Sequence, residues 1–434
     1  MADISRFRDL EDRLHESLYL ASEFLGKSRR EGTIKAGEKG FGWPMNESSF
    51  ANYPAISTWA GTACGIMAST KLRAFIRTHG TQGSNAPSVM STEFVRGPVA
   101  AIEKAQLRKG DSPVRKDSRC QGGMCGTLPV DPNRFPFVPE SGWALISVMS
   151  SDVYGTKTDV KFAADVKDYL TRAHQPGHGW GLLHTDKTSF PYTTSVAIRA
   201  LSAYGLDNLE DASRKSLDEG ISWLIREQTK GESPNDSDRG GWVTANSTKS
   251  RPSPAITAHV LVALAEIADK QGSSTEIMNA IEGARQFLYR KLDARLQTEE
   301  ERYYYHLKDQ MVQKTINHCT IPWVIYSLLD TGGRLVDLAE GWWPQFGIVG
   351  YVYEILESQI RDTSQSSCGA FSTPQYDQDP PIYATFDAVQ LLTTVDTYLH
   401  VRDFDVTLRL AMELEQKLSQ IDQLWEFLRK HEWK

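Results

Sequence analysis

The chain contains, in this order, Trp223-Leu224-Ile225, a polar segment, Gly240-Gly241-Trp242, a second polar segment and the apolar run from Ile256 to Leu264. The same order recurs along almost the whole length of 434 residues. A repeat of this size indicates supersecondary units that bury their apolar faces against one another. The period therefore predicts the architecture before any functional residue is considered.

The other copies differ in how closely they match this pattern. Two are clear: Tyr169-Leu170 with Gly179-Trp180-Gly181 and Thr193 to Leu201, and Phe24-Leu25 with Gly42-Trp43-Pro44 and Ala55 to Ala63. Three are looser: Phe287-Leu288 with Thr320 to Val324, Ile355-Leu356 with Gly369-Ala370-Phe371 and Ala384 to Phe386, and a faint copy from Val99 to Ile146. Six units are thus expected.

Each unit is typical of a helix, a glycine-rich loop and a second helix. The first helix is amphipathic, as in Ile221 to Glu227, whereas the second is apolar on nearly all sides, as in Ile256 to Ile267. One unit cannot cover its own second helix, but six units closed into a ring can. The sequence therefore predicts an all-α protein, an (α/α)6 toroid, whose apolar helices form the inner wall.

The inner helices are predicted near 54–69, 140–152, 191–205, 254–270, 316–331 and 381–400. Residues 1–400 are expected to form this one toroid. Residues 401–434 contain an amphipathic pattern from Phe404 to Trp433, which predicts a C-terminal helix packed on or beside the ring. Trp180 and Trp242 are predicted to be structural wedges between helix ends.

The aromatic-Leu, Gly-Gly-Trp and Thr/Ala/Leu-rich elements resemble the squalene-cyclase-like repeat of the terpene cyclase and protein prenyltransferase superfamily. The resemblance covers about residues 15 to 400, and it implies a toroid with a central funnel. In the prenyltransferases, zinc is held by Asp-x-Cys and by the His of Tyr-His-Thr. Here Asn317-His318-Cys319 and Tyr383-Ala384-Thr385 stand in those places. Only Cys319 is kept, so we expect no metal and no other cofactor.

Class II terpene cyclases carry Asp-x-Asp-Asp, whose middle Asp protonates an alkene. The nearest match is Asp377-Gln378-Asp379-Pro380, in which Asp379 would be the acid. A loop Asp before two prolines is also typical of a turn or a helix cap. Toroid glycosidases need two facing carboxylates, for which Glu266 and Asp387 are the main candidates. His178 and His184 flank a glycine loop and are expected to be solvated or capping residues.

Composition excludes several other functions. Hydrophobic residues make up 40% and charged residues 24% of the chain, as in ordinary globular proteins. The net charge of -7 argues against a nucleic-acid partner. No apolar run approaches the ~18 residues of a transmembrane segment. Five cysteines, an odd number, indicate reduced thiols and predict a cytoplasmic location.

The predicted interior is aromatic and polar. Residues expected near the heads of the inner helices, and hence candidates for lining a cavity, are Tyr53, Trp59, Trp143, Tyr192, His259, His318, Trp323, Tyr383, Phe386 and Asp387. Such a lining suits an apolar chain with a polar end or an inserted peptide.

Two functions are left open by the sequence. The first is a non-catalytic toroid that binds a hydrophobic small molecule, such as a lipid-like ligand, or a partner protein through its funnel and rim loops. The second is an enzyme acting on isoprenoid diphosphates, either a class II-like cyclase using Asp379 or a prenyltransferase that needs a partner subunit. Its candidate catalytic residues are Asp379, Asp377 and Cys319. The second requires converging basic side chains, and the dense basic cluster of the sequence is Arg108, Lys109, Arg115, Lys116 and Arg119.

Overall fold

Within the described part of the chain, six outer and six inner helices alternate in the computed structural model of the protein, and a short helix, Ser112–Lys116, lies in the loop between the third and fourth of them. It describes residues 4–35, 38–45, 57–80, 87–126, 135–152, 155–231, 236–244, 251–292, 298–307, 310–333, 348–373 and 379–401. The outer helices are α1 (Ile4–Ser28), α3 (Thr92–Ala105), α5 (Val160–Ala173), α7 (Asp211–Glu227), α9 (Thr275–Lys291) and α11 (Ile348–Glu357). The inner helices are α2 (Cys64–His79), α4 (Val138–Ser151), α6 (Pro191–Tyr204), α8 (Pro254–Gln271), α10 (Thr320–Asp330) and α12 (Ile382–Val401).

The inner helices form a closed ring. Each contacts the next in chain order, and α12 contacts α2, which completes the circle. The outer helices cover this ring, and their amphipathic pattern matches that position: Leu217, Leu224 and their neighbours on α7 are buried, while Glu227 is exposed. The predicted all-α toroid is confirmed as the fold class.

In three of the hairpins, a tryptophan joins the outer helix to the inner helix. Trp43, Trp180 and Trp242 are completely buried. Each indole N–H donates to the carbonyl oxygen of a leucine near the end of the outer helix, with pairs Trp43–Leu25 at 3.0 Å, Trp180–Leu170 at 2.7 Å and Trp242–Leu224 at 2.8 Å. Each main-chain N–H donates to a threonine hydroxyl: Thr194 and Thr257 lie on the inner helices, and Thr62 lies in the π-helical turn directly before α2. The aromatic-Leu and Gly-Trp elements of the repeat are therefore two halves of one joint.

Two further hairpins make the joint without tryptophan. The N–H of Met124 is 2.9 Å from the Ser141 hydroxyl, and the N–H of Phe371 is 3.2 Å from the Thr385 hydroxyl. The glycine loop of the second unit is therefore Gly122-Gly123-Met124. The faint copy in the sequence had drawn attention to Gly142 and Trp143 instead, but these lie within α4.

Three glutamines, two of them buried and Gln228 half-buried, join neighbouring hairpins. Gln228 donates to the carbonyl oxygens of Gly240 (2.9 Å) and of Ala280 on the next outer helix (2.8 Å). Gln106 and Gln359 make the same pair of bonds in their own hairpins. Gly240 has φ +93°, and a side chain there would meet the carbonyl oxygen of Gly283 at 2.1 Å. Glycine is required at this point because the loop and the next helix touch backbone to backbone.

Two β-hairpins interrupt the helical pattern, which the sequence did not predict. Strands β1 (Arg30–Lys35) and β2 (Glu38–Gly42) pair antiparallel after α1, and β3 (Glu299–Leu307) pairs antiparallel with β4 (Gln310–His318) before α10. The expected start of an inner helix at 316 was therefore wrong, because residues 316–318 belong to β4. The inner helix expected at 54–69 was also misplaced: a π-helical turn covers Thr58–Ala63, and α2 continues to His79.

The C-terminal segment Phe404 to Trp433 lies outside the described residues, so its predicted helix and the domain division at 400 stay predictions. Within the described ranges, no helix combines the length and apolar character needed to cross a bilayer.

Candidate functional site

Aromatic side chains from the first two turns of five inner helices meet in the middle of the ring. The indole N–H of Trp143 on α4 donates to the Tyr192 hydroxyl on α6 at 3.0 Å. Ring centroids lie 3.9 Å apart for His259 and Trp323, 6.0 Å for Trp143 and Trp323, and 6.3 Å for Trp143 and Phe386. We call these five residues the axial cluster. All are buried, so the axis is packed with side chains at this level.

The β3–β4 hairpin contacts this cluster from the end of the ring at which the inner helices begin. His318 at the end of β4 lies 4.7 Å from the Tyr192 ring and 5.3 Å from His259, and its Nε2 is 3.4 Å from the buried Glu301 carboxylate. Tyr303 packs on Phe190, with ring centroids 5.0 Å apart. The hairpin therefore covers the end of the ring at which the inner helices begin, and it contributes polar groups to the interior.

A second contact fixes the hairpin to the ring. Lys314 on β4 pairs with the Glu140 carboxylate in the first turn of α4 and lies 3.9 Å from the Phe137 ring centroid. Glu140 is only 1% exposed, so its charge depends on Lys314 for compensation.

Arg199 of α6 underlies the axial cluster. Its guanidinium lies 5.1 Å from the ring of Trp143 and 5.6 Å from that of Trp323, and it pairs with Glu266 at 2.9 Å. Burial opposes the charge of Arg199, but Glu266, Tyr326 and Asp330 together outweigh it, so the pKa of the guanidinium lies above its usual value. Glu266 is thus the counter-ion of Arg199, and the Arg199 guanidinium makes cation–π contacts with Trp143 and Trp323.

Asp387 is a buried acid beside the axial cluster. It accepts hydrogen bonds from Trp323 and from the Cys319 thiol, and burial raises its pKa well above its usual range. Burial, followed by the nearby Asp387, also raises the pKa of Cys319. The Cys319 thiol is therefore protonated near neutral pH. The other candidate carboxylate, Glu266, lies in the fourth turn of α8 and pairs with Arg199. The two carboxyls therefore have different partners.

A cavity of about 400 Å³ lies between α10, α11 and α12. Its buried lining is mostly apolar: Cys319, Pro322, Tyr351, Ile355, Phe371, Ala384 and Ala388. Thr298, Thr320, Ser358, Ser372 and Thr373 add hydroxyls, and Glu354 is exposed at its edge. The described lining contains no lysine or arginine.

The two segments compared with the prenyltransferase zinc ligands do converge, because Cys319 and Ala384 line this same cavity. The side chains present there do not fit zinc. Zinc takes about four nitrogen, sulfur or carboxylate ligands, whereas Ala384 supplies none and Asp387 is hydrogen-bonded to the thiol. Burial keeps Cys319 protonated, and a bound zinc would require the thiolate.

The remaining candidates fall in different places. Tyr383 is buried at the start of α12, and Asp379 is half-buried just ahead of that helix, outside the cavity lining. Tyr53, Asp377 and the side chain of Trp59 lie outside the described residues. The basic cluster of residues 108–119 belongs to the second hairpin, whose inner helix α4 lies opposite α10 in the ring. It therefore does not edge the cavity.

His184 was expected to be solvated or capping, but its side chain is completely buried. Its Nε2 is 2.9 Å from Asp117 and 4.0 Å from the Cys120 sulfur. Burial, with a smaller effect of Asp117, raises the pKa of Cys120 to about 12. A thiol with that pKa is a poor nucleophile, so this arrangement anchors a loop. His178 is exposed, as expected.

One group of metal-ligating residues was missed by sequence reasoning: His15, His79, Asp396 and His400 converge where α1, α2 and α12 meet. Asp396 and His400 are one helical turn apart, and this spacing was the available local signal.

Comparison with known proteins supports the fold. No family model and no curated protein matches the sequence. Among solved structures, a family 76 glycoside hydrolase from a bovine Bacteroides thetaiotaomicron strain is 12% identical, with a TM-score of 0.50 over 90% of this chain and 78% of that one. This chain is an α/α toroid.

Two other solved structures have lower TM-scores. A cold-adapted family 8 xylanase is 10% identical, with a TM-score of 0.49 over 89% of this chain and 90% of that one. Candida albicans protein geranylgeranyltransferase-I is 14% identical, with a TM-score of 0.40 over 65% of this chain and 80% of that one.

Proposed function

We propose that this toroid binds a lipid-like apolar chain in the cavity between α10, α11 and α12 and performs no chemistry on it. The observation that carries the proposal is the lining: buried apolar side chains around about 400 Å³, with hydroxyls and one carboxylate at the edge. That volume lies at the lower end of the range for small-molecule pockets. The edge suits a neutral or cationic head group.

The alternative, an enzyme acting on isoprenoid diphosphates, has less support. A diphosphate needs several converging cations or helix N-termini, whereas the charged residue among the described lining is the acidic Glu354. Asp379, the candidate proton donor, does not line the cavity. Asp387 has the raised pKa of a general acid, but the space beside it is occupied by Trp323 and Cys319. A segment of a partner protein is the other possible occupant of the cavity, and it would co-purify with the wild type in place of a small ligand.

A matched pair of substitutions tests the cavity. Ala388 on α12 and Ala197 on α6 occupy the same position in their helices, and both are buried, but only Ala388 lines the cavity. Ala388→Leu should place its extra carbons in the cavity at little cost. Ala197→Leu should cost about 1–3 kcal/mol through overpacking. Urea unfolding of both variants measures the difference.

Binding is measured by fluorescence titration with a dansyl farnesyl ether as a neutral probe. The wild type should bind it saturably, Ala388→Leu should weaken it at least about tenfold, and Ala197→Leu should leave it unchanged if folded. Farnesyl diphosphate should compete poorly. Equal affinity in wild type and Ala388→Leu, or consumption of farnesyl diphosphate, would overturn the proposal. No probe binding, together with a co-purifying protein lost in Ala388→Leu, would favour the partner protein.

A further inference from the structure

Four metal-ligating side chains meet at the seam where the ring closes. His15 comes from α1, His79 ends α2, and Asp396 and His400 lie on the last turns of α12. Their ligand atoms all lie within 4.8 Å of one another. We call this group the seam cluster. It joins the first hairpin of the chain to the last, which are far apart in sequence.

The Asp396 carboxylate is the centre of the cluster. Its Oδ1 is 2.9 Å from Nε2 of His15, and its Oδ2 is 2.9 Å from Nε2 of His79. Nδ1 of His400 lies 3.6 Å from Oδ1 and 3.0 Å from the main-chain oxygen of Asp396. Three imidazole nitrogens and a carboxylate thus surround one small volume.

The surroundings of the cluster match those of protein metal sites. The other nitrogen of His400, Nε2, is 3.3 Å from the Glu11 carboxylate. A carboxylate that holds the distal N–H of a ligating histidine fixes its tautomer and strengthens it as a ligand. Phe75 packs on His15 and His79, with ring centroids 5.1 and 4.7 Å apart, and supplies an apolar wall.

The cluster is enclosed and yet reachable from solvent. The side chains of His15, His79 and Asp396 are 17%, 13% and 9% exposed, whereas that of His400 is 39% exposed. An ion can therefore enter on the His400 side and be held by three less accessible ligands.

We propose that the seam cluster binds one divalent transition-metal ion of the zinc type, which joins the first and last hairpins of the ring. Three neutral imidazoles and one carboxylate form a complete tetrahedral set for zinc, and a set with four protein ligands is typical of a structural site. On binding, Nε2 of His15 and of His79 each exchange a hydrogen bond to Asp396 for a bond to the metal. The rings of His15 and His79 then carry their proton on Nδ1. His400 releases to solvent the Nδ1 proton that it donates to the main-chain oxygen of Asp396, binds the metal through Nδ1 and keeps its proton on Nε2 towards Glu11. No redox step is involved.

The proposal replaces the expectation that the protein binds no metal. The proposed metal site does not include Cys319, the residue compared with the prenyltransferase zinc ligands. The experiment uses the full chain, stripped with a chelator and then titrated with Zn²⁺. We expect one equivalent of Zn²⁺ to bind, and the melting temperature to rise by roughly 3–5 °C at a hundredfold excess over Kd. Co²⁺ should give the visible absorption of a tetrahedral site in the unmodified protein.

Substitutions locate the ion. His79→Gln and His15→Gln should each abolish the Zn²⁺-dependent rise and the Co²⁺ absorption. Cys319→Ser and His178→Gln, which change a buried thiol elsewhere and an exposed histidine, should leave both unchanged. The proposal is wrong if the stripped wild type takes up no Zn²⁺ at micromolar concentrations, or if uptake is lost in Cys319→Ser. The wild-type Zn²⁺ and Co²⁺ titrations decide the matter even if a histidine variant fails to fold.

Discussion

The fourth and fifth hairpins of the ring occupy neighbouring positions and are built differently. In the fourth, α7–α8, the glycine loop places Trp242 between Leu224 and Thr257, and Gln228 joins the loop to α9. In the fifth, α9–α10, the loop is replaced by the β3–β4 hairpin, and the Thr320 hydroxyl lies 3.4 Å from the Glu299 carboxylate. The fourth, regular helical hairpin holds the ring together. In the fifth, irregular one, the β3–β4 strands cover the end of the ring and α10 borders the cavity.

The first prediction concerns the regular hairpin. Trp242→Ala should lower the free energy of unfolding by about 3–5 kcal/mol, because it empties a completely buried site and removes the indole hydrogen bond to the carbonyl oxygen of Leu224. Urea denaturation measures the loss. Tyr304→Ala, which changes a 55% exposed ring on the irregular hairpin, is the control and should be nearly neutral. A Trp242→Ala protein that unfolds like the wild type would show that the loop does not hold the ring.

The second prediction concerns the irregular hairpin. Lys314→Met should cost about 2–4 kcal/mol, because it leaves the buried Glu140 carboxylate without its cation, and the partial exposure of Lys314 reduces the penalty. Lys39→Met removes a lysine from an exposed pair with Glu31 and should change stability by less than about 1 kcal/mol. Equal effects of the two substitutions in urea denaturation would contradict the anchoring role of Lys314.

The third prediction concerns His259, which lies on α8 of the fourth hairpin and contacts His318 and Trp323 of the fifth. Burial, followed by His318 and Arg199, lowers the pKa of His259 well below its usual value of about 6.5. The unfolded chain therefore takes up a proton below pH ~6.5 that the folded protein does not. The free energy of unfolding therefore decreases as the pH falls below ~6.5, and His259 contributes at most about 1.4 kcal/mol per pH unit to this decrease.

The His259→Phe variant should lose this part of the pH dependence between pH 7 and 5. His178→Gln, an exposed site, should keep it. The measurement is the urea midpoint at several pH values, and an unchanged slope in His259→Phe would contradict the burial argument.

The contrast between the two hairpins also explains what the sequence could and could not predict. Trp242, Gln228 and Gly240 contact residues of their own repeat or of the next one. Their spacing therefore recurs in the sequence, and the fold can be predicted from it. The β3–β4 hairpin was missed because the apolar run of α10 hid the strand at residues 316–318. Glu301, Tyr303 and Tyr305 alternate with exposed residues, which was the available signal.

The candidate site residues show the same limit of sequence-based prediction. Trp143, Tyr192, His259, Trp323 and Phe386 were expected near the axis, and they meet there, but only coordinates show that they fill the space. Cys319 and Ala384 were placed together by the resemblance. The seam cluster joins residues 15 and 396, and no local period connects positions so far apart.

Native mass spectrometry of the protein purified from its own host tests the central claim most directly. We expect the wild type to carry one neutral apolar molecule per chain and Ala388→Leu to carry none, while any metal present is lost in His79→Gln and kept in Cys319→Ser. A wild-type protein without an apolar adduct, or one whose zinc is lost in Cys319→Ser, would contradict a non-catalytic lipid-binding toroid.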